Sequence, residues 1–278
     1  MNCGFCSVTP FNGRRYRRRP VAEVLDEIET IPQKMLFFVD DNFIGYGRDS
    51  REQAQALLRG MVERKLDKWW FCQASLNFAH DEAVLRWAAR AGCKMVFLGL
   101  EAEEADALAE VSKLLNLQRG VASYEQAFRR MHRAGIAVLG AFIFGMDGDT
   151  PEGLRQRGEY MVASGVDVMQ TTYLTPLPGT RLFDRLRGEG RLLYTDFPAD
   201  WSHYDMTEVT HRPERMSPET LAEVTSLANA RMYRRRVLAQ KAMRTLWETR
   251  SPAAAMFAWH SNVNYRQVSM VGQLSPAG

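Results

Sequence analysis

Cys3-Gly4-Phe5-Cys6 is the first place in this 278-residue chain where side chains could do chemistry. Two thiolates spaced C-x-x-C can hold a metal ion or an iron–sulfur cluster, or cycle through a disulfide, and most metals would need a further ligand. The other cysteines, Cys72 and Cys93, lie far off in sequence. Cys72 stands in an apolar run with Trp69, Trp70 and Phe71, so a small buried hydrophobe is expected there, and Cys93 is read the same way. A second group of candidates consists of polar residues placed directly after apolar runs. These are Asp40-Asp41-Asn42, Gln73 with Ser75, Glu101, Asp147 with Asp149, and Thr175.

Those residues need a scaffold that gathers them. Short β-rich runs predict strands at Met35–Val39, Trp70–Ala74, Met95–Leu98, Ile136–Ile143 and Val168–Tyr173. Amphipathic helices fill the gaps. Ser50 and Ser123, each with a glutamine three residues on, predict capping boxes, and Thr150-Pro151 predicts an N-cap followed by proline at the first helical position. Gly92, Gly135 and Gly165 follow helical runs where a left-handed cap residue belongs. Strand and helix repeat as βα units, which gives an α/β fold with a parallel sheet, open or curled into a barrel. The carboxyl ends of its strands share one rim, so the polar residues after them converge where ligands bind. Any single acid there could equally be a solvated loop residue; the concentration of acids and amides after several runs favours a site.

Composition sets few limits. Hydrophobic content of 46% and charged content of 25% are those of a globular chain, and a formal charge of +3 is too small to demand an anionic partner. The apolar stretch from Ala137 to Met146 is too short to span a bilayer, so no transmembrane segment is expected. Four cysteines, two of them close together, fit cofactor or redox use in a reducing cytoplasm.

Taken in order, these segments carry a family likeness. Cys3-Gly4-Phe5-Cys6-Ser7-Val8, Gly13-Arg14-Arg15-Tyr16-Arg17, Phe37-Phe38-Val39-Asp40-Asp41-Asn42-Phe43, Phe97-Leu98-Gly99-Leu100-Glu101, Gly140-Ala141-Phe142-Ile143-Phe144-Gly145 and Leu174-Thr175-Pro176-Leu177-Pro178-Gly179-Thr180 follow one another on successive βα units. The chain resembles the catalytic domain of the radical S-adenosylmethionine (radical SAM) superfamily, in the branch whose members usually carry an N-terminal cobalamin-binding domain. The resemblance runs from residue 3 to about 240. It implies a parallel partial (β/α) barrel over residues 1–200 and a mostly helical extension over 201–278.

The resemblance also assigns roles. Cys3 and Cys6 match the second and third cysteines of a C-x-x-x-C-x-x-C that holds a 4Fe–4S cluster, with S-adenosylmethionine on the open iron. Phe5 matches an aromatic residue near the adenine, Asp40, Asp41 and Asn42 the motif for the methionine amino group, and Glu101 a residue near the ribose. Phe144 and its neighbours are placed at the adenine end, and Gln73 on the same rim. The implied activity is reductive cleavage to a 5′-deoxyadenosyl radical, with cobalamin-dependent methyl transfer as an open extension. A small-molecule or lipid-like substrate and an electron donor such as flavodoxin or ferredoxin would be the partners.

The family pattern places a further cysteine four residues before Cys3 and a strand before that. The sequence therefore predicts a barrel lacking its first strand, the edge of the next strand exposed, and Cys3 and Cys6 on a mobile segment without a partner. The alternatives are a non-catalytic remnant of such an enzyme and a C-x-x-C thiol or zinc module. The basic run Arg14 to Arg19 is expected to be part of the fold and not a nucleic-acid contact, and His132, His203, His211 and His260 are read as surface or core. Ser217-Pro218 opens one long helix with Leu221, Val224, Leu227 and Met232 on its apolar side and a basic later part, Arg231 to Arg236. Gln273 to Gly278 reads as a frayed end.

Overall fold

The computed structural model describes residues 3–13 and 16–271; Arg14, Arg15 and the end from Gln273 lie outside the described residues. Two helices, α1 (Val8–Asn12) and α2 (Val21–Thr30), precede β1 (Met35–Phe38). The chain continues through α3 (Arg48–Glu63), β2 (Trp69–Ala74), α4 (Asn77–His80), α5 (Glu82–Arg90) and β3 (Cys93–Glu101). After α6 (Ala105–Glu110), α7 (Leu114–Arg119) and α8 (Tyr124–Arg133) come β4 (Ala137–Phe144), α9 (Pro151–Ala163) and β5 (Val168–Tyr173). After β5 come α10 (Arg181–Gly188), an irregular stretch with one 3₁₀ turn at Ala199–His203, and then α11 (Pro218–Met232), α12 (Arg235–Thr249) and α13 (Pro252–Val271).

All five strands are parallel and stand in the order β1-β2-β3-β4-β5, the open α/β sheet that the βα repeat predicts. Strand β3 is longer than its apolar run suggests, because it continues through Gly99 to Glu101. The two-residue period of a strand divides the side chains between two faces. On one face Trp70, Cys72, Leu98, Phe142, Phe144 and Met169 pack with the helices around the sheet, including Leu58 of α3 and Leu154 of α9. On the other, Met95, Ala137, Leu139 and Val168 pack against Ala254, Phe257 and Ala258 of α13. Phe257 meets the edge of the Phe71 ring, which in turn stacks on Phe37 at 4.2 Å.

Strand β1 is an edge. Among the described residues no strand pairs with its outer side, and Met35, Phe37 and Val39 are 54%, 44% and 75% exposed. The exposed edge predicted from the sequence is present. At the opposite edge Tyr173 N donates to Met206 O at 3.1 Å, so an irregular segment begins to cover β5.

Several termini form as read. Thr150 Oγ1 accepts from Gly153 N and Ser217 Oγ from Thr220 N, each with proline at the next position. Gly92 has φ +94°, and a Cβ there would fall 1.9 Å from Lys68 O, so only glycine lets the α5–β3 turn pass the β2 entry. Others differ. Helix α3 starts two residues before Ser50, whose buried hydroxyl accepts instead from Arg18 Nη2 at 2.6 Å. Ser123 closes a short 3₁₀ turn and makes no cap bond, and Gly165 is not left-handed because α9 ends at an extended Ser164. The long C-terminal helix is two helices. It breaks at Tyr233, whose buried hydroxyl donates to Met169 O at 2.6 Å, and Leu227 faces solvent.

The amino-terminal ends of the strands are tied by one buried carboxylate. Asp167 accepts from Val138 N at 2.7 Å, from Thr245 Oγ1 at 2.7 Å and pairs with His132 Nε2 at 2.8 Å, while its carbonyl accepts from Asn262 Nδ2. Glu248 Oε2 lies 2.5 Å from the other His132 nitrogen. Burial alone would lower the imidazole pKa, but the Asp167 hydrogen bond and the two carboxylate charges outweigh it and the net shift is upward. A raised folded-state pKa gives stability that is fully present below the ordinary histidine value and lost as pH rises through the raised value. His132→Gln should therefore cost about 3 kcal/mol in urea unfolding at pH 6. The gap between wild type and variant should narrow steadily above neutrality; a pH-independent gap would show that the imidazolium is not what binds these helices.

Candidate active site

The loop after β1 is built to hold polar groups beside the cysteines. Phe43 N donates to Gln73 O at 2.9 Å, Asn77 Nδ2 to Gly45 O, and the Tyr16 hydroxyl to Asn42 O at 3.1 Å, so residues 42–45 are fastened to the end of β2 and to the chain before α2. The described part of the basic run is held in place as well. Arg17 donates to Asn12 O, Arg18 to Ser50, and Arg19 pairs with Glu27.

Between this loop and α1 lies a cleft of about 860 Å³ lined by Cys6, Tyr16, Asp40, Asp41, Asn42 and Tyr46 among others. Asn42 is buried; its Oδ1 accepts from Ser75 N at 3.3 Å, while its Nδ2 is buried with no partner. Burial and the neighbouring Asp41 charge raise the Asp40 pKa. A cation seated between the two carboxylates would relieve both the desolvation and the repulsion. The Tyr46 hydroxyl lies 2.7 Å from Ser75 Oγ, with its pKa raised mainly by burial.

Cys3 and Cys6 are half-buried and free, on a loop that is clamped from both sides. Gly4 N donates to Val111 O at 3.1 Å and Gly4 O accepts from Leu182 N at 3.0 Å, which corrects the expected partnerless segment: the ends of α6 and α10 hold it. Phe5 packs into an apolar cluster with Val111, Ile143 and Leu174. Burial raises the Cys3 thiol pKa, opposed by the nearby Lys113 charge. Among the described residues no group of three or more His, Cys, Asp or Glu gathers as a metal site, so the chain supplies two thiolates there.

Glu101 does not line the cleft. It sits behind the cysteine loop on a bulge at the end of β3 with φ +67°, and its Oε1 is 2.5 Å from Lys113 Nζ, both groups nearly buried. Burial acts to lower the Lys113 pKa, yet the Glu101 carboxylate outweighs it and the shift is upward. A Cβ at Gly99 would fall 2.5 Å from Glu101 Oε1, so the glycine makes room for the pair. Asn116 Nδ2 donates to the Gly99 and Leu100 carbonyls and braces the bulge. Gln73 is half-buried on the rim, its carbonyl engaged by Phe43.

Phe144 must be reassigned. It is fully buried on the helix-packed face, with the Arg157 guanidinium 5.7 Å from its ring centre. The strand period turns its neighbour Ile143 the other way, into the cluster that holds Phe5. Cys72 and Cys93 are buried in the core, where burial raises both thiol pKa values, as expected of non-ligands. Lys113 and Tyr46 went unread in the sequence, and Tyr16 was read only as part of the family likeness and the basic run, since each lies outside the apolar runs that mark the strand ends.

Residues 1–160 match the family model described as the Radical SAM superfamily. The chain belongs to the radical SAM superfamily. It is 28% identical over 229 residues to bacteriochlorophyllide d C-12(1)-methyltransferase of Chlorobaculum tepidum, covering 80% of this chain and 47% of that protein. It is 30% identical over 202 residues to hopanoid C-2 methylase of Rhodopseudomonas palustris, covering 70% of this chain and 37% of the relative. The chain thus spans less than half the length of these relatives. Among solved structures, the cobalamin-dependent radical enzyme OxsB aligns over 100% of this chain and 46% of its own, at 13% identity and a TM-score of 0.61. The methyltransferase TsrM of Kitasatospora setae, solved with cobalamin and a 4Fe–4S cluster, aligns over 68% of this chain and 35% of its own, at 23% identity and a TM-score of 0.57. Both establish the fold.

Two measurements test the site geometry. Titration of the native apo chain with a thiol reagent should modify Cys3 and Cys6 quickly and Cys72 and Cys93 only after denaturation; four equally fast thiols would contradict the burial of the latter pair. Lys113→Met, which strands Glu101 in the interior, should lower unfolding stability by about 3 kcal/mol. Glu101→Gln with Lys113→Met together should recover a large part of that loss.

Proposed function

We propose that this chain is the S-adenosylmethionine-binding barrel of a cobalamin-dependent radical SAM methyltransferase. The cleft is the observation that carries this reading: Cys6, two carboxylates and an unpartnered buried amide share one space of the size that a nucleoside-bearing amino acid requires. Asp40 and Asp41 would hold the methionine ammonium through charge-assisted hydrogen bonds, and Asn42 Nδ2 would donate to its carboxylate. Phe5, packed on the apolar cluster that holds Ile143, would offer the adenine an apolar contact, and the Glu101–Lys113 pair stands behind Cys3 as a fixed charge couple.

Cys3 and Cys6 fit two corners of a 4Fe–4S cluster, but the described residues do not complete a three-thiolate set. A complete cluster, when bound, would supply the electron that breaks the sulfonium bond, and Asp40, Asp41 and Asn42 would bind and orient the cofactor. The two-thiolate loop favours a second reading, in which the chain by itself binds S-adenosylmethionine without cleaving it. Cobalamin, a flavodoxin- or ferredoxin-type electron donor, a small or lipid-like substrate and a cytoplasmic location belong to this proposal. Support for the substrate class comes from relatives named for bacteriochlorophyllide d and hopanoid. No helix among the described residues is long and apolar enough to cross a membrane.

Calorimetric titration with S-adenosylmethionine should show binding that weakens at least tenfold in Asp40→Asn/Asp41→Asn. After anaerobic reconstitution the chain should yield little 5′-deoxyadenosine. An N-terminal extension placing a cysteine four residues before Cys3 should restore it, and Cys6→Ala in that extended protein should abolish it. Unchanged affinity in the double variant would remove the cofactor assignment, and full turnover by the unextended chain would show that the ligand set is wrong.

A further inference from the structure

Helix α12 packs on α13 and α8 with one side buried and the other exposing large apolar side chains. Leu238, Lys241, Thr245 and Thr249 face inward, and the Lys241 ammonium donates to the carbonyls of Met161, Ser164 and Val166. The inward side is thus fixed to the loop between α9 and β5. Outward, Trp247 is 85% exposed, Met243 69% and Leu246 39%, one helical turn apart. Arg235 and Arg236 stand exposed at one end of this ridge and Arg250 at the other, and among the described residues none of the three forms an ion pair with a carboxylate. The helix's one acid near its outer side, Glu248, is neutralised by Arg244 at 2.7 Å and His132 at 2.5 Å.

We propose that the outer face of α12 is a docking surface for an anionic lipid membrane. The face is a straight strip roughly 22 Å long. Arginines at both ends and no free carboxylate along it match a negatively charged plane, and the large apolar side chains at its centre match the layer below the headgroups. Tryptophan suits that boundary because its ring is apolar and its N–H can stay in the polar zone. The attachment is peripheral, through projecting side chains of a helix already packed on α13 and α8. It is separate from the cofactor cleft and does not depend on what that cleft binds.

Co-sedimentation of the full chain with vesicles of phosphatidylcholine alone, and of equal parts phosphatidylcholine and phosphatidylglycerol, tests it. Binding to the mixed vesicles should exceed binding to neutral ones by about tenfold or more, from the arginine charges, and should fall as salt is raised. Met243→Ser/Trp247→Ser should reduce binding to mixed vesicles at least tenfold, and Arg235→Gln/Arg236→Gln should abolish the preference for the anionic lipid. These residues are exposed, so all variants should melt with the wild type. Equal vesicle binding by the apolar double variant, or none by the wild type, would overturn the proposal. So would a concentration-dependent dimer in sedimentation velocity that Trp247→Ser dissolves, because it would make the strip a contact between copies.

Discussion

Burial of the Asp167 carboxylate sets the frame on which everything else rests. It stands just before β5, and its acceptors reach the start of β4 through Val138 N, α8 through His132 and α12 through Thr245, while its carbonyl holds α13 through Asn262. A carboxylate taken out of water costs several kcal/mol unless its lone pairs are filled, and here three donors fill them. The cost of leaving any one of those donors out of place fixes four elements relative to one another at the closed end of the sheet. With that end fixed and all strands parallel, the carboxyl ends open together on the opposite side.

The rim repeats the device with ion pairs. Asp149 accepts from Gly145 N and Met146 N at 2.9 Å and pairs with Arg157, which also donates to Ile143 O at 2.8 Å and pairs with Glu103 at 2.8 Å. This locks the turn after β4 and the turn after β3 to one guanidinium. Glu101 and Lys113 do the same for the bulge beneath the cysteine loop. Such pairs add little net stability, since desolvation offsets most of their attraction, but a displaced loop would strand a charge in the interior. Their effect is positional. The clamped C-x-x-C loop is held at Gly4 by Val111, which follows α6 in this same braced segment.

What the sequence made legible follows from which interactions are local. All five strands could be read because each is an apolar run bounded by turn residues, and Thr150 and Ser217 could be read as caps because their partner is three residues away. Ser50 could not: its hydroxyl is taken by Arg18, thirty-two positions earlier, and α3 starts before it. The break at Tyr233 was hidden by a basic stretch that looks helical throughout, since the competing bond goes to Met169 across the fold. In the site, Cys3, Cys6 and Asp40 to Asn42 were visible through spacing and position, and the cleft brings Cys6 and all three of the latter together. Which of Phe144 and its neighbours looks toward the rim was not legible, because β4 is buried on both sides and its apolar sequence carries no sign of which alternate set faces which way; Phe144 itself packs on the helix-covered face. Lys113 was invisible because it lies outside the apolar runs, in the segment between α6 and α7, and only the fold brings it to Glu101.

The two ends of the sheet therefore carry different kinds of order. At the closed end every buried charge we have named is met by a partner within the chain, and changes there act on stability. At the rim the same chemistry is left incomplete at particular atoms: Asn42 Nδ2 is buried without an acceptor, Asp40 and Asp41 crowd like charges together, and Cys3 and Cys6 gather two thiolates with no third among the described residues. Incomplete polar groups cost free energy in the folded protein, so a fold retains them where something else completes them. Asn42, Asp40, Asp41 and Cys6 line one cleft beside the open edge of β1. What completes them must bring a cation to the acids and an acceptor to the amide.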